Sequence, residues 1–251
     1  MAPLEGTVAA GEKAVNRLSR AFVRAAGASA LCVILASLEI SRGEGWAADQ
    51  SERDLAAVEK ALATGARSPA DVLSGATLME LHPDARFREL IRRHSRSPQT
   101  TIVTPEEPGE RLLVTGTVRD EAGHVVPGAL IYVYQTNAAG WYASDRPHIL
   151  GPGGDEGHAR LFGYMTTGPD GRYELRTIRP GSYPGTNNPQ HIHFEVVAEG
   201  HRERITELLF DGDPLLTEGT RRRAAREGLI VAQVQRDESG LDRSLCDLVL
   251  P

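Results

Sequence analysis

The stretch LLVTGTVRDEAGHVVPGALIYVYQT, residues 112–136, decides the fold. From Arg111 the sequence changes to a period of two, the period of a strand whose side chains alternate between faces. EAGHVVPG, with Gly123, Pro127 and Gly128, reads as a turn cluster. ALIYVYQT is rich in β-branched and aromatic residues and reads as a second strand, after which NAAG turns the chain.

The same pattern runs on toward the C-terminus. RLFGYMTT, the turn GPDG and RYELRTI are expected to form a hairpin, and IRPGSYPGTNNPQ a long irregular loop. HIHFEVVA and RITELLF read as strands and TEGTRRRAAREG as a short exposed helix. LIVAQVQ, DESG and LDRSLCDLVL close the chain as a hairpin. Many short strands at regular spacing predict a mainly β fold, an antiparallel β-sandwich over residues 97–251.

Toward the N-terminus the period becomes helical, over residues 51–96. SERDLAAVEKALATG starts with Ser51 as N-cap and Asp54 at the third helical position, and ends at Gly65. PADVLSGATLMEL reads as a second helix or helical turn. HPDARFRELIRRH places Phe87, Leu90, Ile91 and His94 on one face, and Ser97 to Gly109 reads as a linker. In residues 1–50, Arg17, Arg20 and Arg24 precede the apolar run AAGASALCVILASL, with Gly45 and Ala47 beyond it. This segment reads as an export leader or as a helical or disordered leader, so localisation is cytoplasmic or exported. The run is short for a membrane span, and no membrane association is expected of the mature form.

Composition narrows the function classes. A net charge of −6 gives no field that would attract nucleic acid or anionic lipid. With Cys32 and Cys246 as the sole cysteines, neither a disulfide scaffold nor a thiolate-rich metal site can be built.

Chemistry concentrates in PQHIHFEV, residues 189–196. Two residues apart on a strand, His191 and His193 share a face. Tyr183 lies just upstream in PGSYPG, and Tyr142 follows a strand and turn in AAGWY. Two phenols and two imidazoles without thiolates suit a hard, highly charged ion, Fe(III) more than zinc. Taken singly, each histidine also fits a hydrogen-bonded core residue and each tyrosine a strand-end aromatic.

LLVTGTVRDEAGHVVPGALIYVYQTNAAGWY, GRYELRTIRPGSYPG, PQHIHFEVVAEGHR and ITELLFDGDP together resemble the intradiol ring-cleavage dioxygenases, the family of catechol and protocatechuate dioxygenases. The resemblance covers Leu112 to Leu216. It implies that Tyr142, Tyr183, His191 and His193 ligate a non-haem Fe(III), with Tyr183 and His193 axial and Tyr142 and His191 equatorial. It further implies that Tyr183 leaves the metal on substrate binding and takes a proton from a catechol, whose ring O2 then opens to a muconate-type diacid. Homo-oligomers are common in the family.

Two positions depart from the pattern. Asn188 stands where well-studied members carry arginine, and Glu207 where they carry glutamine. Both are candidate catalytic positions, and both changes lower the positive charge around the site. Arg179, Arg202 and Arg204 are candidates to replace the missing cation, although Arg202 and Arg204 also read as a solvated strand end. Asp155 and His158, in DEGHAR, lie in a loop that roofs the pocket or is ordinary surface. Two alternatives stand beside the enzyme. One is a transthyretin-like or carboxypeptidase-regulatory-like binding module, and the other an iron-binding relative with altered activity.

Overall fold

The computed structural model describes residues 49–143 and 159–251. The chain divides into two compact units, residues 1–53 and 54–251. Of the first, residues 49–53 are described and helical, and the leader segment lies outside the described residues. Asp49 and Gln50 are already helical, so Ser51 is not an N-cap, a position that needs non-helical backbone. Among the described residues no helix is long and apolar enough to cross a membrane.

In the second unit, residues 54–63 are helical (α1). Gly65, with φ +69, turns the chain in the left-handed conformation that suits glycine. The segment expected as a second helix or helical turn forms two short elements. Pro69–Leu73 (α2) starts with a Ser68–Asp71 capping box, and a 3-10 helix follows at Ala76–Leu81. Ala85–His94 (α3) starts at Asp84, whose carboxylate accepts from the Arg86 backbone N–H, and buries Phe87, Leu90 and Ile91.

The strands are β1 Gln99–Thr101, β2 Arg111–Asp120, β3 Leu130–Gln135, β4 Leu161–Thr166, β5 Arg172–Ile178, β6 His191–Val197 and β7 Arg204–Phe210. The helix Glu218–Glu227 (α4) follows, then β8 Ile230–Ala232, β9 Val234–Arg236, β10 Asp242–Leu245 and β11 Leu248–Leu250. One sheet has the order β1-β5-β2-β10-β9, with β11 also on β2, and the other the order β4-β3-β6-β7-β8. The sandwich is therefore as expected, with mixed pairing: β1–β5, β2–β10, β2–β11 and β7–β8 are parallel.

Two expected elements differ. The linker at Ser97 to Gly109 contains β1, a short strand that exists through its pairing with β5 and has no local signal of its own. The expected hairpin from RLFGYMTT to RYELRTI does not form. β4 pairs with β3 in one sheet and β5 with β2 in the other, so GPDG carries the chain across the sandwich. A period of two shows that each segment is a strand but not which strand it pairs with.

Ile131, Val133, Ile192, Phe194, Val196 and Leu208 of one sheet face Leu112, Val114 and Leu175 of the other, all essentially buried. Tyr173 and Phe194 meet across the sandwich with ring centres 6.1 Å apart. Truncating a buried phenylalanine such as Phe194 costs about 3–5 kcal/mol. The opposite face of the second sheet is also covered, since Phe162 of β4 packs edge-on to Phe87 of α3 at 6.4 Å. The two histidines of β6 project on this outer face.

Candidate metal centre

Pairing fixes the histidines first. Val133 opposes Phe194 and Tyr134 opposes His193, so the inward residues of β6 are Ile192, Phe194 and Val196. His191 and His193 consequently share the outward face, as alternation predicts.

Two loops bring the tyrosines to that face. Asn137 Oδ1 accepts from the backbone N–H groups of Ala139 and Trp141, at 3.0 Å each, and folds the NAAG turn. Gly140 has φ +86, and a Cβ on it would lie 2.0 Å from the Ser182 carbonyl oxygen. A Cβ on Gly181 would lie 2.5 Å from both the Ala138 oxygen and the Gly140 nitrogen. Glycine at both positions thus lets the loop of Tyr142 touch the loop of Tyr183 backbone to backbone. The Gly181 N–H donates to the Asn137 carbonyl at 2.8 Å, and Thr136 Oγ1 donates to the Gly181 carbonyl at 2.8 Å.

A buried clamp holds the far side of Tyr142. The Arg160 N–H donates to the Tyr142 carbonyl at 2.7 Å. The Arg160 guanidinium grips Glu107 with both arms, at 2.7 and 2.5 Å. His82 Nδ1 bonds the Arg160 carbonyl at 2.6 Å, and Arg88 donates to the carbonyls of His82 and Ala159 at 3.1 Å each. Burial pushes His82 down to about 4, so its imidazole is neutral and donates through Nδ1.

The result is a convergence of four polar atoms. Tyr142 Oη lies 2.5 Å from Tyr183 Oη and 2.9 Å from His193 Nε2. Tyr183 Oη lies 2.9 Å from His191 Nε2 and 3.5 Å from His193 Nε2. His191 Nδ1 donates to the Pro189 carbonyl at 2.7 Å, which leaves Nε2 with its lone pair turned to the phenols. Burial, then the neighbouring His191, holds His193 well below the ordinary imidazole value. The 3.7 Å approach of Glu207 Oε1 to His193 Nδ1 is therefore not an ion pair, and a carboxylate there favours the Nδ1–H tautomer.

The contacts among the four atoms run from 2.5 to 3.5 Å, so each atom is placed to turn toward one common cation. Phenolate and neutral imidazole are the donors that a trivalent hard ion prefers. The residues present fit an Fe(III) ion.

The remaining candidates separate. Asn188 is half-buried, with its backbone N–H on Thr186 Oγ1 at 3.2 Å. Arg179 holds Gln190, the residue before His191, through an Nε–Oε1 bond of 2.8 Å. Arg204 starts β7, opposite Val196 and away from His191, and donates to the Gly228 carbonyl at 2.6 Å. Arg202 is exposed beside the C-terminal Pro251, to which its N–H donates at 3.0 Å. Of the three candidate cations, Arg179 alone is tied to a neighbour of a histidine of the centre. Asp155 and His158 lie outside the described residues.

Two contributors carried no sequence signal. Tyr134 stacks on His193, with ring centres 4.3 Å apart and planes 4° from parallel, a contact set by strand register. Glu107, inside the expected linker, anchors Arg160 and through it Tyr142. The glycines of NAAG and PGSY were visible, yet the loops they allow to touch were not.

Comparison with known proteins agrees with the geometry. Residues 87–248 match a family model described as Dioxygenase. The protocatechuate 3,4-dioxygenase beta chain of Burkholderia cepacia is 39% identical over 151 residues, 53% of this chain and 60% of that one. The chlorocatechol 1,2-dioxygenase of Rhodococcus opacus is 33% identical over 147 residues, 52% of this chain and 55% of that one. The chain thus spans little more than half the length of these relatives. Among solved structures, the dioxygenase domain of a dioxygenase carbohydrate-binding protein fusion from Streptomyces matches with 29% identity and a TM-score of 0.46, over 62% of this chain and 89% of that one. The reading as a stand-alone binding module is not favoured. The family model reaches from α3 to β11 and takes in all four converging side chains, and the chain belongs to the intradiol dioxygenase family.

Proposed function

We propose that this chain is a non-haem Fe(III) dioxygenase that cleaves a catechol-type ring between its two hydroxylated carbons with O2, giving a muconate-type diacid. Tyr142, Tyr183, His191 and His193 would hold the metal. The observation that carries the reading is the meeting of two phenol oxygens and two Nε2 atoms at one buried point.

When bound, ferric ion supplies Lewis acidity that draws charge from the catecholate ring and readies it for O2. The protein supplies position and protons. Tyr142, 2% exposed and pinned through its carbonyl, keeps its oxygen fixed and away from water. Tyr183 Oη would be the group that accepts a catechol proton, its oxygen lying 2.9 Å from His191 Nε2. The Pro189 carbonyl fixes the His191 tautomer, and the Tyr134 ring fixes the plane of His193. Asn188 would face the substrate as a neutral hydrogen-bond donor where relatives place a cation, and Glu207 would act from behind His193.

Protocatechuate and chlorocatechol, which appear in the names of two relatives, are substrates to test first. Assembly into homo-oligomers belongs to the proposal as well. The neutral Asn188 and acidic Glu207 favour a second reading, an iron-binding protein with altered activity. Oxygen uptake by iron-loaded protein with a panel of catechols separates the two. Uptake with one of them and a diacid product is expected, and full iron loading without uptake would favour the second reading.

A further inference from the structure

The two histidines of the centre differ in what lies behind them. His191 Nδ1 meets a neutral partner, the Pro189 carbonyl, at 2.7 Å. His193 Nδ1 meets Glu207 Oε1 at 3.7 Å. That distance is too long for a hydrogen bond and short enough for one charge to act strongly on the other group.

Register makes this placement structural. Tyr134, His193 and Glu207 stand in one row across β3, β6 and β7. Tyr134 lies flat on the imidazole with planes 4° apart, and Glu207 approaches its edge. The Glu207 side chain is 29% exposed, so water screens its charge in part. His191, His193 and Glu207 also offer ligand atoms within 4.8 Å of one another. A centre on those three would use a set that leaves out the phenols. The Nε2 atom of His193 already faces Tyr142 Oη at 2.9 Å, so the carboxylate lies behind the ring when Nε2 faces the metal.

We infer that Glu207 is a positioning residue of the proposed metal centre, a carboxylate behind His193 whose charge favours its Nδ1–H tautomer and strengthens its donation, so that the site favours trivalent over divalent iron. The inference rests on the proposed ferric site and concerns the position at which this chain departs from the family pattern. Partners of this kind behind a ligating histidine commonly change metal affinity by about 10–100-fold.

The experiment compares wild type with Glu207→Gln and Glu207→Asp, using ferric ion alone as the probe. In wild type, a visible tyrosinate-to-iron band is expected. Glu207→Gln should keep that band but move it to longer wavelength, make the iron easier to reduce and lower ferric retention against a chelator by roughly 10-fold or more. Glu207→Asp should restore part of each change. Nitrogen-15 shifts of His193 in the metal-free protein should report the Nδ1–H tautomer, a measurement that stands even where a variant folds poorly. Wild-type spectrum, potential and retention unchanged in Glu207→Gln would overturn the inference. Complete loss of iron in Glu207→Gln would overturn it too, since Glu207 would then be a direct ligand. Ferric ion bound to wild type without a visible band would instead defeat the proposed site itself.

Discussion

Two buried polar clusters lie on the outer side of the second sheet, and they solve the problem of burial in opposite ways. In the clamp of His82, Arg88, Glu107 and Arg160, nearly every polar atom has a protein partner of matching kind. Arg160 and Glu107 form a two-armed pair with side chains 14% and 4% exposed. Of this clamp, His82 Nε2 alone is buried without a hydrogen bond. At the candidate metal centre, two phenol oxygens and two imidazole nitrogens crowd within hydrogen-bond distance of one another. A buried cluster that satisfies itself serves structure. One that gathers phenol oxygens and imidazole nitrogens at a single point suits the cation of the proposed function.

The contrast can be broken most sharply from the metal side. Tyr142→Phe or His193→Ala should abolish ring cleavage, a loss of at least about 1000-fold, and remove the visible band. Thermal stability of metal-free Tyr142→Phe should change little, because the ring that fills the space is kept. A variant that keeps full iron occupancy would contradict the assignment.

From the clamp side the ranking reverses. Glu107→Ala leaves the Arg160 charge buried without its partner and should cost about 3–5 kcal/mol of unfolding free energy. Chemical denaturation measures it, and a cost below about 1 kcal/mol would show that the pair is not structural.

The clamp also predicts a pH dependence. His82 titrates at 6.5 when unfolded and at about 4 when folded. Between those values the unfolded chain takes up a proton that the folded chain refuses. Stability should therefore fall as pH drops from about 6.5 to 4, by up to about 3 kcal/mol, and hold steady above that window. His82→Gln should remove this part of the slope, and an unchanged slope would place the titrating group elsewhere.

The smallest effect is expected at the row across the sheet. Tyr134→Leu removes one aromatic stacking contact, worth about 0.5–1.5 kcal/mol. It should broaden the geometry at His193 and weaken metal retention modestly, and unchanged retention would show that the stack does not hold the ring.

The sandwich was legible because alternation is a local property. Each strand from β2 to β7 announced itself by its period, and His191 and His193 could be placed on one face from spacing alone. Pairing is a property of distant segments. Hence β4 and β5 were expected as a hairpin and lie in different sheets, and β1 was hidden in a linker. The site follows the same division. Its four converging residues stand in short motifs that the sequence displays. The groups that hold them, Tyr134, Glu107 and Arg160, act through register and backbone contacts that no local pattern records. Gly140 and Gly181 fall between, since their identity was plain and the loop contact they permit was not.

The most direct test is resonance Raman spectroscopy of the iron-loaded protein, excited within its visible absorption. Coordination by Tyr142 and Tyr183 predicts enhanced tyrosinate ring modes, lost with the iron in Tyr142→Phe and reduced in Tyr183→Phe. Bound ferric ion with no tyrosinate modes would mean that the phenols do not ligate the metal.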